Sequence, residues 1–377
     1  MATNDVFLDI INPNYFVDKL PTLETGTDSL PFFAADKFPN VKKEVTKLQF
    51  IKGYKDGSRL APLAEYDADY SRKGRKGFSQ ITEEIPFFRF AKPLTEEEMM
   101  QIDAAYSVLV SSGSSEAIKS IMEEIYNDEA DLVRDIRKTQ EFLRFQVLQN
   151  NGINITSTDY GGNVVKYQAS FDVPGDATWA STHNIAIANA WEKDTSTPLV
   201  DILDAIQQAR KINRTVISEI LPSERLYNAL LNNKNDRDQF ATISAITPAI
   251  LTADDAQRWL TLKLGGTNII IHNPYNYDNQ YIDYQGNTQT LLNDNTCLLL
   301  PKGQIGKTVL APTPAERNKT RNPESRVAIT EDRIAVHNTV IEDKEPFSYD
   351  TVVSATTVPS GEGMDSVFKL TVAAPTN

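Results

Sequence analysis

Between residues 114 and 149 the apolar positions Ile118, Ile121, Ile125, Leu132, Ile136, Leu143 and Val147 recur at steps of three, four or seven. That spacing draws one stripe along an α-helix. Ser114 or Ser115 can cap its start, and Gly152 closes it. At 1.5 Å per residue the helix is about 50 Å long, close to the roughly 55 Å diameter of a compact sphere of this chain length. The subunit is therefore expected to be elongated. A shorter helix is predicted from Thr95, which forms a capping box with Glu98, while Glu96 and Glu97 favour the positive end of the dipole.

The pattern ahead of these helices is different. Residues 1–44 carry Pro13, Pro21, Pro31 and Pro39 among isolated apolar residues, which suits an extended arm. Its Phe7, Ile10, Ile11, Tyr15, Phe16, Phe32 and Phe33 would be left in water unless the arm lies along another surface, such as a second subunit. From 45 to 90 the alternation predicts a long hairpin, with strands at 45–51 and 66–70, a turn at Lys55-Asp56-Gly57, and a return over 81–90. Its tip, 71–77, holds Arg72, Lys73, Arg75 and Lys76 with Gly74 and Gly77, a basic projection that is either solvated or set against an acidic partner surface.

Beyond the long helix, strands are predicted at 153–158 and 164–173 around a turn at 159–163. From Trp179 helices and strands alternate. Thr197-Pro198 supplies a cap and a first residue for a helix over 199–212, and 216–221 reads as a short buried strand. Pro222 starts another helix through Leu231, Thr252 caps one over 253–264, and a strand follows at 268–272. This is a mixed α/β module of about residues 176–300. The stretch 326–374 shows only short β-rich runs between turns.

Charge and candidate chemistry change this picture little. Lys and Arg number 38 against 51 Asp and Glu, a net charge of −13 that argues against a surface built to grip nucleic-acid phosphate. Acidic residues crowd the first half of the long helix, Glu123, Glu124, Asp128, Glu129, Asp131 and Asp135, as a solvated face or as the receiver of a basic loop tip. Cys297 is the only cysteine, so no intrachain disulfide forms and a reducing folding compartment is expected. There is no secretory leader pattern and no apolar run approaching the roughly 20 residues of a membrane span. The segment Gly303-Gln304-Ile305-Gly306-Lys307-Thr308 imitates the end of a phosphate-binding loop. Pro301 stands where that pattern needs glycine, and no helix can open at Val309-Leu310-Ala311-Pro312, so it reads as a turn between extended segments. His183, His272 and His337 lack zinc spacing and no serine elbow occurs, so no catalytic, cofactor-binding or metal residue is assigned. Tyr275, Tyr277, Tyr281 and Tyr284 suit interface packing.

The order of arm, long hairpin, long helix, α/β module and returning strands resembles the tailed-phage major capsid fold, an α+β architecture known as the Hong Kong 97 fold. Particular segments are similar to the lambda-type major capsid protein E family. They are Ala177-Thr178-Trp179 leading to Asp201-Ile202-Leu203-Asp204-Ala205-Ile206, then Leu299-Leu300-Pro301-Lys302-Gly303-Gln304-Ile305-Gly306-Lys307-Thr308-Val309 with Pro312-Thr313-Pro314. Asp332-Arg333-Ile334-Ala335-Val336 and Ile341-Glu342-Asp343-Lys344-Glu345-Pro346 complete the set.

The resemblance implies an N-terminal arm at 1–44, an extended loop at 45–92, and a spine helix with the first part of a peripheral domain at 93–175. An axial domain would follow at 176–300, and returning strands of the peripheral domain at 301–377. It implies a non-enzymatic, cofactor-free subunit that assembles with copies of itself in hexamers and pentamers around double-stranded DNA. A scaffolding protein, a portal protein and a decoration protein are the further partners, with the host cytoplasm as the place of assembly and the virion as the destination. The candidate inter-subunit contact sets Arg72, Lys73, Arg75 and Lys76 against an acidic face that includes Glu123, Glu124 and Asp128. An encapsulin-like cargo shell and, from a different class, a soluble α/β enzyme are the alternatives.

Overall fold

The computed structural model describes residues 30–53, 78–94, 97, 100, 104, 116–158, 164–173, 177–244, 251–283, 285–322, 325–341 and 348–375, with backbone alone at 51–53, 78–79, 94, 116–128, 158, 242–244, 340–341 and 348–349. After a short strand β1 (Asn40–Lys42), strands β2 (Lys47–Gly53) and β3 (Phe78–Glu84) pair antiparallel from Lys47↔Glu84 to Gly53↔Phe78. This is the base of the expected hairpin; its turn, its second strand at 66–70 and its tip lie outside the described residues.

The return does not run unbroken over 81–90. Pro86, which has no amide to give a ladder, interrupts it. Beyond the break β4 (Phe87–Leu94) leaves the ribbon and joins a different sheet. The helix expected from Thr95 is described only at Glu97, Met100 and Ala104, all helical.

The long helix α1 spans Glu116–Asn150, 35 residues, or about 52 Å. It ends at Asn151 rather than at Gly152. Asn151 takes the left-handed conformation with φ 49°, and its N–H donates to the Val147 carbonyl at 2.8 Å. Gly152 serves the hairpin instead, since a Cβ there would stand 2.7 Å from the Ala169 carbonyl oxygen across the ladder. That hairpin pairs β5 (Gly152–Thr158) with β6 (Val164–Ser170) as the alternation predicts.

Two larger sheets flank the helix. In the six-stranded one, β16 (Ser348–Pro359) is central. On one side it pairs with β4, and on the other with β15 (Ala335–Ile341) and β13 (Thr308–Ala311); β14 (Val327–Ile329) and β1 lie outside these. Leu132, Val133 and Ile136 of α1 pack on this sheet against Ile334, Val336 and Val353.

The five-stranded sheet has the order β7 (Asn184–Ile187), β17 (Phe368–Val372), β12 (Thr296–Pro301), β8 (Ile217–Pro222), β9 (Ile270–Ile271). Strand β17 was read among the returning strands of 326–374, yet it pairs here with β12 and β7. A single hydrophobic strand does not encode which of two sheets it enters.

One face of the five-stranded sheet, through Ile220, Cys297, Leu299, Phe368 and Leu370, packs under α3 (Pro198–Asn213), α4 (Glu224–Asn232), α5 (Lys234–Ser244) and α6 (Ala253–Lys263). The short α2 (Trp179–His183) precedes β7, and a small antiparallel hairpin pairs β10 (Gln280–Ile282) with β11 (Thr288–Thr290). The opposite face, through Leu221, Leu298 and Leu300, shares a core with Leu143, Val147 and Leu148 of α1, with Leu48, Phe50 and Ile81 of the ribbon, and with Phe33 and Phe38.

Helix starts differ in detail from the sequence reading. Thr252 caps α6 as expected, and with Asp255 it forms a full capping box that was not foreseen. Thr197 makes no side-chain cap at α3. The buried Asp236 does so from 37 residues away, both carboxylate oxygens accepting from Leu199 N–H at 3.1 and 3.2 Å. Pro222 ends β8 rather than starting a helix, and Ser223 caps α4 by accepting from Leu226 N–H at 3.3 Å.

Candidate assembly surfaces

The expected arm divides at residue 30. Phe7, Ile10, Ile11, Tyr15 and Phe16 lie outside the described residues, whereas Phe33 is buried in the chain's own core and Phe32 is half-buried beside it, so the surface under Phe33 belongs to its own subunit rather than to a second one. Phe33 meets His272 and Tyr277 edge-on, with centroids 4.9 and 5.0 Å away, and Phe32 lies 5.7 Å from the Lys138 ammonium. Hydrogen bonds fix the segment along its length. Ala34 N–H donates to Glu141 Oε1 at 2.6 Å; Ile305 and Gly306 N–H donate to the Lys37 carbonyl at 2.9 and 3.2 Å; and β1 lies parallel to β13. Arg144 of α1 donates to Asn40 Oδ1 in this segment and to Thr308 Oγ1 of β13, each at 3.0 Å.

Beneath the segment sits a buried polar chain. Lys37 Nζ donates to Glu219 Oε1 at 2.6 Å, and His272 Nε2 lies 2.9 Å from Glu219 Oε2. A carboxylate only accepts, so Nε2 carries the proton and Nδ1 accepts from Tyr277 hydroxyl at 3.1 Å. Burial, with the Lys37 charge close by, holds the His272 pKa below its ordinary value. The ring is therefore neutral at pH 7. Burial pushes the Glu141 carboxyl up, against the pull of Arg144 3.2 Å away.

What remains for other molecules is strand edge and apolar surface. Among the described residues β4 pairs only with β16, so its outer edge is open, and Phe87 and Phe90 on it are 47% and 44% exposed. Val164 and Val165 on β6 are exposed as well. The β2–β3 ribbon is a two-stranded sheet paired with neither large sheet.

The proposed electrostatic contact is only half represented. Arg72, Lys73, Arg75 and Lys76 lie outside the described residues; Glu123, Glu124 and Asp128 stand on the described backbone of α1, and their side chains lie outside the description. Of the tyrosines expected at an interface, Tyr277 and Tyr281 pack within the chain, the latter against Phe142 with centroids 4.9 Å apart. Tyr275 is exposed, and Tyr284 is outside the described residues.

Among the described residues no group of His, Cys, Asp and Glu is placed to hold a metal. Cys297 is fully buried, which pushes its thiol pKa up and leaves it unreactive. His183 stacks on Trp179, centroids 5.5 Å apart. The 303–308 segment is a turn from β12 to β13, with Gly303 at φ 90°. Gly306 is there for closeness: an added Cβ would lie 2.3 Å from the Ser360 carbonyl oxygen and 2.7 Å from the Phe38 ring. Among the described residues no helix is long and apolar enough to cross a membrane.

Comparison with known proteins agrees with this picture. The family model for phage major capsid protein E matches residues 20–342. A prophage capsid protein from Escherichia coli CFT073 superposes with a TM-score of 0.52 at 12% identity, over 95% of this chain and 99% of its own. A phage-related protein from Bordetella bronchiseptica RB50 gives a TM-score of 0.51 at 11% identity, over 94% and 96% of the two chains. No curated protein sequence matches the chain.

The fold is an α+β architecture of the Hong Kong 97 type, the class to which structural shell subunits belong. The chain belongs to the phage major capsid protein E family and is a head-shell protein of the tailed-phage virion. The soluble-enzyme reading falls with that assignment, and the family is one of phage heads rather than of cargo-enclosing encapsulins.

Proposed function

We propose that copies of this chain assemble as hexamers and pentamers into an icosahedral or prolate head, each subunit lending the far end of its 45–92 loop to a neighbour. In this reading 1–44 is the arm, 93–175 and 301–377 build the peripheral domain, and 176–300 is the axial domain at capsomer centres. The observation that carries it is the β2–β3 ribbon, a two-stranded sheet of its own whose residues Leu48, Phe50 and Ile81 anchor it to the core. A two-stranded ribbon is marginally stable by itself. Lying on another subunit stabilises it, and many such weak contacts add up as a shell closes.

Arg72, Lys73, Arg75 and Lys76 engage an acidic face of the adjacent subunit, with Glu123, Glu124 and Asp128 on the first half of α1 as the receiving carboxylates. Reversing all four cations is expected to abolish assembly or to remove its salt dependence. Unchanged shells with unchanged salt response, seen by light scattering and electron microscopy, contradict the contact. A scaffolding protein directs assembly in the host cytoplasm, a portal protein occupies one vertex, and a decoration protein can add to the outside. The packaged DNA lies against the inner wall by proximity alone, as suits a chain of net charge −13. Nuclease-protected DNA in the particles is the expected outcome.

A further inference from the structure

We infer that residues 30–44 form an internal strap that sets the angle between the five-stranded sheet and the α1–six-stranded-sheet body, with the Lys37–Glu219 ion pair as its lock. The strap is tied to both sides of that joint. On the body side Ala34 is held by Glu141 of α1, Asn40 by Asp332 at 2.9 Å, and Lys43 N–H by the Leu310 carbonyl of β13 at 2.9 Å. On the other side the Lys37 ammonium crosses to Glu219 of β8, their side chains 9% and 11% exposed.

The contact is polar where a pure stabiliser would be apolar. A buried ion pair adds little net stability over a well-packed apolar substitute, yet leaving one partner alone in the interior is strongly unfavourable. The pair therefore tolerates one geometry and penalises others. Glu219 is itself oriented by His272, whose other nitrogen is bonded to Tyr277, so the acceptor cannot swing to follow a displaced lysine. The lysine is fixed as well, because its own carbonyl receives the Ile305 and Gly306 amides of the β12–β13 turn.

In a closed shell the angle between the two parts of each subunit sets local curvature, and a subunit free to vary it closes at more than one size. The test uses the full chain assembled into particles, with their diameters measured by cryo-electron microscopy. Lys37→Met is expected to broaden the diameter distribution at least twofold, and Lys37→Arg to restore the wild-type spread. Phe33→Leu, which loosens the apolar side of the strap and leaves the charges intact, is expected to lower the thermal midpoint without broadening. Lys37→Met particles as uniform as wild type, or equal broadening by Phe33→Leu, overturns the inference. Should Lys37→Met give no particles, a native circular dichroism spectrum of the soluble subunit supports the strap as a geometric lock. Loss of that spectrum overturns it, because the pair then serves folding alone.

Discussion

Phe38 has no exposed surface, and its ring closes the space above Gly306 while its carbonyl accepts from Thr308 Oγ1 at 2.9 Å. Truncation to alanine leaves a cavity that backbone on both sides prevents from collapsing. Phe38→Ala is expected to cost about 3–5 kcal/mol, measured by urea denaturation of the soluble subunit. Asp236 makes a sharper case. Burial, reinforced by Asp201, pushes its carboxyl up to about 8 from 3.8, although it accepts the Leu199 amide. A raised carboxylate pKa means that the folded state binds the extra proton. Its stabilising share is complete below the unfolded value and is lost as pH rises through about 8. Asp236→Asn keeps the acceptor and removes the titration, so the fall in unfolding free energy between about pH 4 and pH 8 becomes shallower than in wild type. An unchanged slope contradicts the assignment. None of this was legible in the run Asn232-Asn233-Lys234-Asn235-Asp236, which reads as polar loop because the partner of Asp236 is remote in sequence.

Elements were readable where their signal is local. Helix α1 announced itself through one stripe, and α6 through the cap Thr252, which the structure completes with reciprocal bonds to Asp255. Thr252→Ala is expected to cost about 1 kcal/mol, seen as a lower denaturation midpoint with an unchanged slope. Helix α5 was missed because the buried residues that hold it, Asp236 and Phe240, make no apolar stripe. The strand break at Pro86 was written in the sequence, but the apolar residues on either side of it, Ile85 and Phe87, disguised it as continuous strand. The 303–308 turn was read correctly as structure. The reason for its second glycine was not readable, because it depends on Phe38 and Ser360 arriving from distant parts of the chain. Gly306→Ala is expected to displace the strap, and hydrogen exchange at the Thr308 amide, which donates to the Pro39 carbonyl at 3.0 Å, should accelerate markedly.

For the whole molecule, the order of the parts gave the architecture, and the family match over residues 20–342 agrees with it. The division of labour within the arm was not legible. Isolated aromatics in a proline-rich stretch read alike whether they pack on their own subunit, as Phe33 does, or on another. Deciding between the two requires knowing what surface lies alongside, and that surface is assembled from α1, the Tyr277 loop and β8, far apart in sequence. Among the described residues the outer edge of β4 and the exposed valines of β6 are left open, surfaces of the kind that a neighbouring subunit can cover. The most direct measurement is electron microscopy of particles from cells expressing the full chain with its neighbouring genes. The account expects closed shells of this subunit; a compact, solitary monomer under every condition tried would contradict it.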